Sequence, residues 1–479
     1  MTPLSRRQLL ARSACGFGSL ALTGLCHENR GHASTGSVPF DAAAPLSPRA
    51  GHHPATAKRV IFVFMQGGPS QVDSYDYKPA LARHDGQKVD FDVARTRKIT
   101  PERVFQSPWS FRQYGECGQW VSELFPHMAR HVDDYCVVRS MHTEGVAHGP
   151  ATLFLHTGAT NLIRPSVGAW ISYGLGTENQ SLPGFVTISP PPTKGGPRNY
   201  SNAFLPSVFQ GTTIGRGGTP IPKARIPNLR NNQISGALQR QQFELLRRLN
   251  RAQLDNATVK QARDLELEAV INSYELAYRM QSTAPAVMDL NTETRATQKM
   301  YGIGEEHTDD FGRQCLLARR FAEAGARFIQ VSYSDTKNTP KWDQHSNLPE
   351  HAVHARNTDK PVAGLLADLK QRGLLEDTLV WWGGEFGRTP FAQGRNGRDH
   401  NPRGFTVWLA GGGIRGGQAW GETDEFGYQA VEKPVHMHDL HATILHALGI
   451  NHTRLTYPFA GRDFRLTDVH GEVVHGLFA

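Results

Sequence analysis

Cysteine, blocks of charge and long apolar runs are what this chain has little of. Five cysteines occur in 479 residues. None forms a CxxC pair, so the usual structural zinc ribbon is excluded. Their wide spacing also excludes a disulfide framework. Cys117, Cys136 and Cys315 lie beyond the N-terminal leader described below, and their spacing leaves one bridge open, Cys117–Cys136. After that leader, no stretch is apolar enough to cross a membrane. The formal net charge of +8 is partly the leader's. The remaining Lys and Arg form no block or aromatic-interleaved stripe, so no nucleic-acid partner is expected. There is no internal repeat and no low-complexity tract. Histidine is the contrast: there are 22, many beside Asp, Glu or Gly in turns.

The N-terminus reads as an address. Ser5-Arg6-Arg7-Gln8-Leu9-Leu10 precedes a short, glycine-containing apolar run, Ala14 to Leu25. This is the pattern of a twin-arginine signal peptide over residues 1–33, with cleavage near Ala33. Export to the periplasm or outside the cell is the expectation. Residues 34–57, rich in Ala, Pro, Gly and Ser, read as a linker. Residues 58–479 then suffice for one large α/β domain, with an insertion of irregular and helical segments at about 186–300.

Within that domain, Arg59–Met65, Tyr135–Arg139, Arg327–Tyr333, Thr378–Trp382 and Phe405–Ala410 are short β-branched and aromatic runs that predict buried strands. Helices are predicted over Trp120–His131, from Gly149 to His156, over Phe311–Ala324, Asp359–Arg372 and His438–Leu448. Apolar spacing near three and four in residues 232–282 (Leu238, Phe243, Leu246, Leu249, Leu254) predicts a helical hairpin laid over the domain. Strands alternating with helices argue a largely parallel central sheet covered by helices on both faces.

Chemistry-bearing residues gather where strands end, which is where open α/β sheets build sites. Gln66, Ser70 and Asp73 follow the first strand. Asp343 and His345 lie in Trp342-Asp343-Gln344-His345. Glu385 ends the strand at Thr378, and Asp399-His400 precedes the strand at Phe405. Carboxylates mixed with imidazoles suit a divalent ion such as zinc, manganese or calcium. Such an ion polarises a phosphoryl or sulfuryl oxygen and activates water or another nucleophile. His436, His438, Asp439 and His441 form a second dense cluster, for which a helix N-terminus favoured by Asp439 is explanation enough.

Asp359 through Gly413 resembles the C-terminal half of the alkaline phosphatase superfamily, which includes the sulfatases. There a strand ends in an Asp-His or Asp-Asn metal pair and a lone His opens the next strand. Glu385 falls at the Asp of that pair and His400 at the lone His. Asp439 through Ile450 resembles the superfamily's late helix. Trp342-Asp343-Gln344-His345 resembles its earlier ligands. His148 through Gly158 aligns with the sulfatase signature C-x-P-S-R-x-x-L-L-T-G. More narrowly, the whole chain resembles the domain-of-unknown-function family 1501. The shared motifs are the twin-arginine start, Gly67 to Asp73, Trp342 to His345, Gly384 to Pro390 and Arg398 to Pro402.

The resemblance implies an alkaline phosphatase-like or sulfatase-like α/β fold. It implies a divalent metal held by Asp343, His345, Glu385 and His400, and an ester substrate, small or glycan-borne. His148 stands at the nucleophile position, as ligand, general base or nucleophile, and formylglycine cannot form there. Phe386 occupies a ligand position, and Gln66 or Met65 replaces an Asp. Two functions follow. One is an exported metal-dependent hydrolase of sulfate or phosphate esters. The other is an inactive, metal-stabilised scaffold or glycan-binding protein. A third class, a partner-binding surface module, would need an exposed apolar patch on the 232–282 hairpin, and the sequence displays no clear one.

Overall fold

The computed structural model describes residues 45–226, 235–255 and 263–479. The twin-arginine segment lies outside the described residues, as does the first part of the linker.

The sheet strands follow the apolar runs: β1 (Arg59–Met65), β2 (Tyr135–His142), β3 (Phe185–Ile188), β4 (Thr212–Ile214), β5 (Phe328–Tyr333) and β6 (Thr378–Gly383). A hairpin of β7 (Gly387–Gln393) and β8 (Gly397–Asn401) follows. The sheet then resumes with β9 (Phe405–Ala410), β10 (Gln418–Trp420) and β11 (Val435–His436). The nine-stranded sheet runs β10-β2-β9-β6-β1-β5-β3-β4, with β11 also on β2. Its ladders are parallel except those of β9, which runs against β6 and β2. The architecture is therefore mixed α/β around a largely parallel sheet, as expected.

β1 is buried along its whole length, because helices cover both faces, and a doubly covered strand needs a continuous apolar run. The main helices are α1 (His148–Thr157), α2 (Val167–Leu175), α3 (Gly236–Asp255), α4 (Arg263–Met288), α5 (Asp309–Glu323), α6 (Glu350–Gln371) and α7 (Met437–Ala447). Phe62 and Phe64 face α1, whose His156 ring sits 4.9 Å from Phe64. On the opposite face, Phe311 of α5 and His354 of α6 pack on Tyr333 of β5. Trp381 stacks on Phe62 at 3.7 Å, so the tryptophan pair of β6 is core.

Three sequence expectations are corrected. Cys117, Cys136 and Cys315 are all free, so the Cys117–Cys136 bridge is absent. The helix expected over Trp120–His131 is instead the strand Gln119–Ser122 followed by a 3-10 turn at Met128–Asp134. Trp120 pairs with Gln113 across a hairpin there, and Pro126 interrupts any helix. The helical hairpin does form as α3 and α4, with Phe243 stacked on Tyr278 at 4.6 Å. Yet Leu238, Leu245, Leu246 and Leu249 of α3 are exposed, so these apolar positions do not pack on the domain as their spacing suggests. No described helix is long and apolar enough to cross a membrane.

Candidate metal centre

The site forms at the C-terminal edge of β1, β5 and β6. Gly67 and Gly68 both take positive φ in the turn after β1, a region that glycine enters freely. A Cβ on Gly68 would lie 2.6 Å from the Phe386 carbonyl. This close approach lets the Gly67 N–H donate to both carboxylate oxygens of Glu385, at 3.1 and 3.0 Å. Glu385 is 0 % exposed, and it accepts a 2.6 Å bond from His148 Nδ1 at the start of α1.

The other nitrogen of His148 faces Asp343. Nε2 of His148, of His345 and of His400 lie 3.0, 2.8 and 3.3 Å from the same oxygen, Asp343 Oδ1. One ligand atom from each of these four residues lies within 4.8 Å of all the others, so the group could hold a metal ion. No other such group occurs among the described residues. Arg388, fully buried, also reaches Asp343 Oδ1 at 2.9 Å.

The Nδ1 atoms decide what this convergence means. His148 Nδ1 meets Glu385. His400 Nδ1 donates to the Val146 carbonyl at 2.8 Å. His345 Nδ1 bonds Gln393 Oε1, with Asp399 Oδ1 at 3.6 Å. An imidazole whose Nδ1 carries the proton offers a lone pair at Nε2. Three lone pairs would then face one carboxylate oxygen, a repulsive arrangement that a cation relieves. His148 Nε2 is buried and lacks hydrogen-bond geometry to any partner. The donor set therefore fits a divalent ion, and the carbonyl and carboxylate behind each ring are the usual means of orienting such ligands.

A proton on a ring is the alternative to a cation for relieving this repulsion, and it is what Asp343 favours when no ion is bound. Burial alone would raise the Asp343 carboxyl, but the three imidazoles and Arg388 hold it far below the usual carboxylate range. Burial works against a charged His148, yet Asp343 and Glu385 together raise its pKa. The Asp343 contact raises that of His345, whereas burial lowers that of His400.

The nine residues expected at the site divide into five groups. His148, Asp343, His345 and His400 converge, which places His148 among the candidate ligands. Glu385 does not join the converging atoms; it stands behind His148 and orients it. Ser70 and Asp73 lie in a separate buried network. There Ser70 Oγ donates to Asp73, and Arg398 binds both Asp73 oxygens at 2.7 and 3.1 Å. Asp399 caps the His400 N–H at 2.8 Å and pairs with exposed Arg95 at 3.3 Å. The Gln66 amide is buried with neither atom bonded. Phe386 lies 4.5 Å from the His400 ring and 4.9 Å from that of His148, so it walls the site.

Arg388, Arg398 and Gln393 were missed by sequence reasoning. Both arginines sat inside recognised motifs, Gly384 to Pro390 and Arg398 to Pro402, and arginine beside carboxylates was the available signal. The His436–His441 cluster is structural: Asp439 accepts from the His436 N–H at 2.8 Å, and His441 Nε2 bonds the Leu155 carbonyl.

Fold and site thus define a mixed α/β protein with a histidine-rich corner able to hold a metal ion. The chain belongs to the family described as "Protein of unknown function (DUF1501)", whose model matches residues 57–478. No curated protein matches it. Similar solved structures include a sulfatase, an alkaline phosphatase and a lipoteichoic acid synthase. Ps i-CgsB shares 10 % identity at TM-score 0.38, over 82 % of this chain and 72 % of that one. The PsFucS1 sulfatase from Pseudoalteromonas sp. shares 10 % at 0.34, over 82 % and 68 %. Alkaline phosphatase from the Antarctic bacterium TAB5 shares 10 % at 0.33, over 82 % and 98 %. Likenesses this low carry no information on substrate.

Proposed function

We propose that this protein is an exported, metal-dependent hydrolase of sulfate or phosphate esters, small or glycan-borne. The observation that carries the proposal is the meeting of three Nδ1-anchored imidazoles at Asp343 Oδ1. His148, Asp343, His345 and His400 would hold the ion. When bound, a divalent ion supplies Lewis acidity for an ester oxygen and for water. The chain's own residues do the rest. Glu385 fixes the His148 tautomer. Arg388 shares Asp343 and offsets its charge. Phe386 excludes water from one side, and half-buried His345 forms the open side where an ester can approach. His148 Nδ1 is committed to Glu385, and Nε2 faces Asp343 beside the other two rings, so the ligand role suits it better than that of nucleophile.

The reading is tested by elemental analysis of the purified protein, with turnover measured on aryl sulfates and phosphate esters. A stoichiometric divalent ion, lost in His400→Ala together with turnover, is expected. A metal-free wild-type protein sinks the proposal. Export is tested by replacing Arg6 and Arg7 with lysine, which should retain the precursor in the cytoplasm.

A second reading is a metal-stabilised, inactive scaffold. It is favoured by the lack of Ser, Thr or Cys among the four donors and by Phe386 at a ligand position. Full metal occupancy without turnover on any ester would select it.

A further inference from the structure

Beside His345, on the open side of the metal corner, stand two arginines that the proposed chemistry does not use. The first comes from a hairpin of the strands Lys88–Val93 and Lys98–Arg103. Apolar packing fixes this hairpin to the framework of the site. Phe91 lies 4.9 Å from Phe391 of β7, and Val104, just past the hairpin, bridges the same residue. The turn is anchored as well. Tyr428 Oη accepts from the Ala94 N–H and donates to the Asp92 carbonyl, both at 2.9 Å. The Arg97 N–H closes on the Val93 carbonyl at 2.8 Å. Arg95 therefore stands in a held turn rather than on a free loop.

That turn sets Arg95 against the site. Its Nη1 lies 3.4 and 3.3 Å from the two oxygens of Asp399. Asp399 Oδ1 in turn lies 3.6 Å from Nδ1 of the candidate ligand His345. Both contacts of Arg95 are long for a charged pair, whose usual spacing is about 2.7–2.9 Å. Arg95 Nε and Nη2 make no hydrogen bond among the described residues, and the side chain is 58 % exposed. The planar fork that suits a sulfate or phosphate is thus left largely unused.

The second arginine, Arg395, is exposed in the turn between β7 and β8. Gln393, two residues earlier, bonds His345 Nδ1. Arg103 Nη2 donates to the Arg395 carbonyl at 3.0 Å, which ties this turn to the same hairpin. Arg395 pairs with no carboxylate among the described residues, whereas Arg403 is committed to Asp92 at 2.7 Å. In the hydrolase reading a metal ion meets the charge of the reacting ester. Cations set beside that ion, on its solvent side, remain for another anion.

We propose that Arg95 and Arg395 bind a second anionic group of the substrate, so that the class recognised is an ester carrying at least one further anion, as in a multiply sulfated saccharide, rather than an isolated monoester. The proposal rests on the ester-hydrolase reading of the metal corner.

The probes are a monosulfated disaccharide and the same disaccharide with a second sulfate, titrated calorimetrically into the purified protein supplied with Zn²⁺. The second sulfate should tighten binding roughly tenfold, the value of one charge-assisted contact, and added salt should shrink that gain. Equal affinity for the two probes, or binding of neither, overturns the proposal. Arg95→Gln should lose most of the gain and Arg395→Gln a smaller part; an unchanged gain in either variant refutes the part of that arginine. Asp399→Asn is the control for a merely structural pair. It breaks the same contact as Arg95→Gln yet frees the guanidinium, so the gain should hold or grow. Equal losses in Asp399→Asn and Arg95→Gln show that the pair only holds the turn, which overturns the proposal. The two readings fail separately. A preference for the second sulfate without bound Zn²⁺ or turnover sinks the hydrolase and leaves the anion site, whereas Zn²⁺ binding and turnover without that preference sink the anion site alone.

Discussion

Two buried carboxylates at the same sheet edge have opposite surroundings. Asp73 receives Ser70 Oγ and both arms of Arg398. Each of its oxygens has a donor, and Arg398 spends its remaining N–H groups on the carbonyls of Thr389, Phe105 and Gln106. Asp343 instead faces Arg388 and the Nε2 atoms of three imidazoles whose Nδ1 atoms already bond acceptors elsewhere. One corner is complete as built, and the other has more lone pairs than donors. Residue type alone does not separate a structural network from a binding site; the second atom of each ring does.

The strongest way to break the comparison is Arg398→Met. It strands Asp73, 0 % exposed, without its counter-charge, and breaking a buried pair costs about 3–5 kcal/mol. Urea unfolding should register that loss equally with and without added metal. A metal-dependent loss would merge the two corners into one.

A pH series probes two buried histidines away from both corners, His156 of α1 and His441 of α7. Burial lowers His156 and His441 each to about 4. A histidine whose folded pKa is depressed contributes stability that is present above the unfolded value of about 6.5 and is lost as pH falls through the folded pKa. Stability should therefore decline between pH 6.5 and about 4, by a few kcal/mol for the pair. Midpoints of urea unfolding check this, and His441→Gln should flatten the slope.

His400→Ala separates the corners in the opposite sense from Arg398→Met. Its effect should be confined to metal-loaded protein, because a ligand stabilises only the state that binds it. Melting curves with and without Zn²⁺ should converge for the variant and diverge for the wild type. Glu385→Gln should act on the same readout more weakly, reducing metal affinity by about 10–100-fold as an orienting partner does. Asp399→Asn is the smallest perturbation. Its partner Arg95 has a side chain 58 % exposed, and exposed pairs contribute roughly 0–1 kcal/mol. A melting shift as large as that of Arg398→Met would show that Asp399 belongs to the buried network.

Much of this was legible beforehand where the signal was local. β1, β6 and β9 announced themselves as short apolar runs, and β9 lies over the expected residues, Phe405–Ala410. Asp343, His345 and His400 were recognisable because carboxylates and imidazoles followed strands. Glu385 was visible too, but its place behind His148 was not, since 237 residues separate them. The helix-like composition over Trp120–His131 is overridden by hairpin pairing of Trp120 with Gln113.

The sequence by itself determined the alternating α/β pattern, the strand ends that carry polar residues and the motifs of the family. Each of these rests on side-chain period or on neighbours in the chain, which a sequence displays directly. Only the tertiary structure decided which carboxylate is saturated and which is not. It paired Asp73 with Arg398 and turned three Nδ1 atoms toward Glu385, Val146 and Gln393, so that three Nε2 atoms meet at Asp343. The orientation of an imidazole depends on the acceptor behind it, and those acceptors come from distant segments that only folding brings together.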